Sequence, residues 1–396
     1  MTSAHASQLP LEMLLIFGSA KLLAEGAVRL GSPAIVGEII AGILIGPSVL
    51  GWVAPNEVLS AFAELGVMFL LFRVGLECKS TELLRVGGTA TLTAVLGVIV
   101  PMIAGWGVFR LWGYGQIPSA FMGAAMVATS VGITAQVLGE RGLLHLLASK
   151  VILAAAVIDD VLGLIVLAIV SGAARGSVNL TEIALITAFA VSFTLLVAWA
   201  GSRTMQRILP RVEQNLAVGE AQFNLSLLAL FALAVISAYA GVAAIIGAFL
   251  AGMAMAETIG KRVHDLVHGV TELFVPFFLV NIGLQLQLAP LRDPAVLTLG
   301  LIILAAAVLS KFLGCGLGAW KLGWTEMQRI GAGMIPRGEV GMVVAQIGLA
   351  SGAIDQAVYG IAVFMAIFTT VIAPPLLKFT YRDAPVGRRK ADFSIG

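Results

Sequence analysis

Two adjacent acids, Asp159 and Asp160, stand in the middle of an apolar run from Val151 to Ser171. An ionised side chain at the centre of a bilayer-spanning helix costs about 2.5–3.5 kcal/mol, so a pair of them in mid-span marks a place that handles charge. Lys311 is equally deep in the apolar run 301–314 and is the best partner for one of the two acids. Consecutive residues on a helix point about 100° apart, so the two carboxylates can face different groups. Two further segments, Ala128-Thr129-Ser130-Val131-Gly132 and Met334-Ile335-Pro336-Arg337-Gly338-Glu339-Val340-Gly341, interrupt apolar helices with Gly, Pro, Thr and Ser. Unwound backbone of this kind can coordinate an ion at membrane depth. A donor set made only of carboxylate, hydroxyl and peptide oxygens suits Na⁺ or another alkali ion and not a transition metal. Burial favours a protonated acid and a nearby ammonium favours the carboxylate, so such a site is suited to exchanging a cation for a proton.

The elements that must position these residues follow from composition. The chain has 396 residues, 59% hydrophobic and only 12% charged, with mean hydropathy +1.00. Soluble domains are about 45–50% apolar and about 25% charged. The composition excludes a soluble enzyme, a disordered chain and a nucleic-acid-binding protein, and it implies an all-α polytopic membrane protein. No cofactor is implied, and Cys78 and Cys315 are too far apart in sequence to form a CxxC or metal pattern. Residues 1–10 carry no Lys or Arg and the apolar run that follows contains Glu12, Lys21 and Glu25, which argues against a cleaved signal peptide.

Apolar runs predict thirteen transmembrane helices at about 10–30, 33–53, 58–76, 86–112, 118–139, 151–171, 180–202, 220–240, 242–257, 270–288, 295–320, 328–350 and 356–380. With the C-terminus in the cytoplasm, 17 of the 24 basic residues fall on the inner side. Only Arg110, Arg175 and Arg292 fall outside. That asymmetry sets the N-terminus outside the membrane and the C-terminus in the cytoplasm.

The chain also repeats itself. Ala34–Gly42 matches Ala244–Gly252 at five of nine positions, 210 residues apart, and Glu64–Glu77 matches Glu272–Gln285 at seven of fourteen, 208 apart. Seven spans separate the members of each pair, so the copies run in opposite directions through the membrane, the inverted-repeat construction of secondary transporters. The same shift pairs the fifth span with the twelfth, the two interrupted ones.

Other charges fit supporting roles. Arg337 and Glu339 lie in the interrupted twelfth span, where they are suited to balancing exposed helix ends. Glu38, Glu64, Arg73, and Glu25 with Lys21 sit nearer span ends and read as snorkelling or paired residues. His145, His264 and His268 fall in predicted cytoplasmic loops.

The run Ala128–Thr134, the segment Ile158-Asp-Asp-Val-Leu-Gly163 and Pro336-Arg-Gly-Glu-Val-Gly341 together resemble the bacterial monovalent cation:proton antiporters, NapA-type Na⁺/H⁺ antiporters above all and NhaA more distantly. The resemblance covers all thirteen spans. It implies an NhaA-like fold with two crossed, discontinuous helices in a core (about 86–171 and 295–380) that moves like an elevator against a scaffold (about 10–76 and part of 220–288). The scaffold makes a homodimer. It implies that Asp160 carries the cation or proton, that Asp159 pairs with Lys311 when the cation is absent, and that Thr129 and Ser130 help ligate the ion. Glu339 and Arg337 would neutralise helix termini. Two Asp and one Lys is the pattern of electrogenic members. Arg73 and Asn281, equivalent in the internal repeat, have no clear counterpart in the family pattern.

The expected function is therefore exchange of Na⁺ or Li⁺ for H⁺ in pH and sodium homeostasis, not enzymatic catalysis. The alternatives are K⁺/H⁺ exchange and Na⁺-coupled symport of an organic solute. The short basic tail from Tyr381, in place of the nucleotide-sensing domain of the K⁺-efflux branch, weighs against K⁺. Symport calls for a roomy polar cavity. An intramembrane aspartyl protease needs its two acids on separate helices, and a channel needs rings of polar residues along a pore.

Overall fold

A computed structural model describes residues 3–176, 180–213, 220–240 and 243–384, apart from a few side chains within its helices. The described residues form sixteen α-helices and two short 3₁₀ turns, with no strand among them. Eight helices are long and apolar enough to cross a membrane, or up to nine if the bent pair Thr187–Val197 and Trp199–Arg207 is one span.

Most helices start and stop where side chains or backbone constraints require. Helix α3 (Glu57–Leu76) is capped by Asn56, whose side chain accepts from the Leu59 amide at 2.9 Å. Helices α13 (Pro294–Gly318) and α16 (Gln356–Thr380) have Asp293 and Asp355 in the same role. Three stretches differ clearly from their predicted lengths, the first being the predicted span 180–202, which continues as α9 (Leu180–Glu213). The predicted span 33–53 is helical only as α2 (Ala34–Ile45), because Pro33 precedes it and Gly46-Pro47 ends it. The predicted span 270–288 is longer, as α12 (Lys261–Leu284) starts in the segment expected to be a loop and takes His264 and His268 onto its first turns.

The sequence repeat reappears as repeated packing. Helix α2 meets α12 where a Cβ on Gly42 would run into the Val280 carbonyl and the Gly283 Cα. Its counterpart α11 (Ala244–Met255) meets α3 where a Cβ on Gly252 would run into the Phe72 carbonyl and the Gly75 Cα. These partners are the same pairs of residues shifted by 210 and 208. The pattern extends outward. Gly37 packs on the Leu23 carbonyl of α1 (Ser3–Arg29), and Gly247 packs on the Leu233 carbonyl of α10 (Ala221–Tyr239). Gly66 of α3 lies against Phe274 of α12, its own repeat mate, so a local twofold axis passes between these two helices. Small residues let the backbones approach this closely, which is how helices adhere where the surrounding lipid is as apolar as they are.

A second body of packing surrounds α5 (Gly87–Trp112), α8 (Leu147–Ala174), α13 and α16. It holds the two interrupted segments, and with them the site.

Candidate functional site

The interruptions expected from the sequence are breaks in the helices. The chain runs as α6 (Gln116–Val127), three extended residues, then α7 (Val131–Glu140). It runs again as α14 (Trp324–Gly333), five non-helical residues, then α15 (Glu339–Ala350). Pro336 removes a backbone donor that a continuous helix would need. The two breaks lie against each other: the Ser130 amide donates to the Pro336 carbonyl at 2.8 Å, and Thr134 Oγ1 donates to the Gly333 carbonyl at 2.6 Å. Ser130 also packs on Gly338, where a Cβ would have no room. Two helix C-termini, those of α6 and α14, therefore end in the interior with carbonyls that have no partner within their own helices and a partial negative charge.

Each of those ends is met by a buried cation. Lys311 is wholly buried on α13, and its Nζ donates to the Val127 carbonyl at 2.6 Å and to the Gly97 carbonyl at 2.8 Å. The same Nζ lies 3.0 Å from Asp159 Oδ1 and 3.2 Å from Oδ2, so this wholly buried acid is held on both oxygens. Arg337, also wholly buried, closes the other end: Nη1 donates to the Ile335 carbonyl at 2.8 Å and to Met334 at 3.2 Å. Its own backbone is fixed to α16, the amide donating to Thr369 Oγ1 at 3.1 Å and the carbonyl accepting from Thr370 Oγ1. The side chain of Glu339 lies outside the described ones.

Asp160 is the next residue on α8, but its surroundings differ. It is 8% exposed and lines a cavity of about 780 Å³, whereas Asp159 has no exposed surface. The remaining polar groups on that cavity are Ser60, Glu64, Asn281, Gln285, Gln346 and Tyr359. Asn281 Oδ1 is buried without a partner, and so is Thr129 Oγ1 at the first break. Thr129 and Ser130 are 4% and 2% exposed, tying the break to the interior rather than to open solvent.

A smaller cavity of about 260 Å³ lies among α1, α2, α3, α7 and α12. Its lining includes the repeat mates of the larger one: Arg73 for Asn281, Glu272 for Glu64, Leu70 for Phe278 and Ala34 for Ala244. It is crowded with charge. Lys21 Nζ lies 3.2 Å from Glu38 and 3.9 Å from Glu272, while Arg73 Nη1 lies 3.2 Å from His268 Nδ1 and 3.8 Å from Glu272. Gln136 Nε2 donates to Glu140 at 3.0 Å. Sequence spacing had suggested Lys21 with Glu25. Instead Glu25 pairs with Arg29 at 2.8 Å, one turn on, and Lys21 reaches across to α2. The partnership of Arg73 with His268 was not visible either, since the two lie 195 positions apart and the histidine was expected in a loop.

The arrangement has a simple chemical capacity. One carboxylate is locked by an ammonium, its neighbour faces a cavity, and one buried hydroxyl oxygen without a partner, Thr129 Oγ1, stands at the adjacent break.

Comparison with known proteins gives a consistent result. A family model described as a transmembrane sodium/hydrogen exchanger matches residues 15–382. The Na⁺/H⁺-K⁺ antiporter GerN of Bacillus cereus is 35% identical over 378 residues, covering 93% of this chain and 95% of its own length. The high-affinity Na⁺/H⁺ antiporter NhaS3 of Synechocystis sp. is also 35% identical, covering 94% and 90%. Among solved structures, the sodium proton antiporter MjNhaP1 of Methanocaldococcus jannaschii superposes with a TM-score of 0.70 over 97% of each chain at 18% identity.

Proposed function

The chain belongs to the sodium/hydrogen exchanger family of transmembrane proteins, and on that premise we propose that it exchanges Na⁺ or Li⁺ for H⁺ with Asp160 as the group both ions share. The observation that carries this reading is the unequal treatment of two adjacent acids: Lys311 holds Asp159, while Asp160 borders the large cavity. A cation arriving through that cavity meets the Asp160 carboxylate and the hydroxyls of Thr129 and Ser130 at the break. A proton competes for the same carboxylate, so loading one releases the other. Lys311 and Arg337 offset the partial charges of the two helix ends, which lets the break stay unwound. In this scheme Glu339 serves the facing helix end.

The charge distribution supports thirteen spans with an outer N-terminus and a cytoplasmic C-terminus in the inner membrane. The large cavity, bordered by the start of α3 and the end of α12, then opens outward, and the smaller one faces the cytoplasm. The repeat packing of α1–α3 with α10–α12 supports a scaffold of those helices, at which a second copy makes a homodimer. The other helices form a core that slides against it and turns the site from one side to the other. GerN carries K⁺ in its name, and K⁺/H⁺ exchange is the second reading. A Na⁺-coupled symporter of organic anions fits less well, because the large cavity has room but no Lys, Arg or His among its described lining residues to hold an anion.

The test uses everted membrane vesicles with an acidified lumen. Adding Na⁺ or Li⁺ is expected to release protons from the lumen, K⁺ to release fewer, and Asp160→Asn to abolish the response. An unchanged response in Asp160→Asn would remove this residue as the carrier.

A further inference from the structure

The two cavities share several repeat-mated lining positions and differ in charge, most directly at the pair Arg73 and Asn281. At the position 208 residues from Asn281, the smaller cavity has Arg73, a fixed cation whose side chain is 11% exposed. Arg73 is on α3, meets His268 and Glu272 on α12, and shares the cavity lining with Gln136 and Glu140 of α7. It therefore stands between the repeat-packed helices and the helix that follows the first break. Around it are the carboxylates of Glu25, Glu38, Glu140 and Glu272, which draw cations in, and the two cations on the lining are Arg73 itself and the more exposed Lys21. The larger cavity has two acids, Glu64 as the repeat mate of Glu272 and Asp160, and no cation among its described lining residues.

We propose that Arg73 is a tethered competitor in the inner access route: a metal ion entering from that side must take carboxylate oxygens from the guanidinium, whereas Asn281 leaves the outer route uncontested. Arg73 is thus a positioning residue that makes the two faces of the exchanger unequal in apparent cation affinity. The contact of the guanidinium with partly exposed Glu272 is of a strength that changes half-saturation up to about fivefold. The buried, unpartnered Oε1 of Gln136, one turn from Glu140 on the same helix, is an oxygen for the ion once it has passed.

The proposal rests on the antiport reading, and its test separates the two. Half-saturating Na⁺ is measured at the inner face in everted vesicles and at the outer face in right-side-out vesicles, together with the maximal rate at each. Arg73→Asn is expected to lower the inner value at least threefold with the outer value and maximal rates unchanged, and Arg73→Lys to restore it. Asn281→Arg, placed in the roomier cavity and independent of how Arg73 packs, is expected to raise the outer value about tenfold and leave the inner one alone. Unchanged values in both asparagine-arginine exchanges, or equal shifts at both faces, overturn the proposal. A wild-type protein that releases no protons with any alkali ion overturns the antiport reading instead.

Discussion

The larger and smaller cavities are related by the internal repeat, yet one reaches Asp160 and the other holds a network of ion pairs. The glycine contacts are matched almost residue for residue: Gly42 on Val280 and Gly252 on Phe72, Gly37 on Leu23 and Gly247 on Leu233. The difference therefore arises above the level of helix packing. Shape-matched small residues set the backbone frame on both sides, and the charged side chains differ between the two cavities. Interactions of the first kind are hard to alter without losing the protein. Those of the second kind, partly exposed ion pairs, are individually weak.

This contrast can be broken at several strengths. The largest effect is expected where the frame is filled. Gly42→Leu and Gly252→Leu drive a side chain into a facing carbonyl, and both are expected to eliminate folded protein on size-exclusion chromatography. Gly163→Leu, with nothing within 4 Å of its Cβ position, is expected to be tolerated. A tolerated Gly252→Leu beside a lethal Gly42→Leu would mean that the two halves are not equivalent frames. Next comes the locked acid. Lys311→Gln leaves Asp159 buried without its partner, a loss of about 3–5 kcal/mol, and is expected to lower the melting temperature in detergent by several degrees. An unchanged melting curve would show that the pair does not hold the break. The smallest effects belong to the mated acids. Glu272→Gln gives up partly exposed contacts with Lys21, Arg73 and His268, worth about 0–1 kcal/mol. Glu64→Gln is expected to leave stability unchanged and to raise outer half-saturation about twofold. If Glu64→Gln proves the more destabilising, the outer cavity is not the relaxed member of the pair.

Much of this could be read from the chain before any coordinates. The repeat was visible because the glycines that allow close approach cannot be replaced by larger residues without a clash, so both copies show them at fixed offsets. The breaks at 128–130 and 334–338 were visible because Pro and Gly interrupt an apolar pattern. Asp159 and Asp160 stood out because charge is costly in mid-span. The lengths of α2 and α12 were less legible, since hydropathy continues past Gly46 while the chain turns, and charged residues at 261–268 are compatible with a helix that extends beyond the apolar layer. The partners of Lys21 and Arg73 were not legible at all. A long, flexible side chain near a helix end has several acids within reach, and sequence distance says nothing about which helix lies beside it.

The sequence by itself determined the class of protein, the all-helical build, the internal repeat and the short set of charged residues that must meet in the interior, because the low dielectric of a membrane penalises every exception to apolarity. The residues alone left open which acid Lys311 takes, and the family resemblance implied Asp159. The tertiary structure has that pair and places Asp160 at the edge of a cavity. Only the tertiary structure decided that Arg73 and Asn281, mates in the repeat, face cavities of different size. Those outcomes depend on helix rotation and on the offset between two packed bodies, and many such arrangements satisfy the same hydropathy pattern equally well.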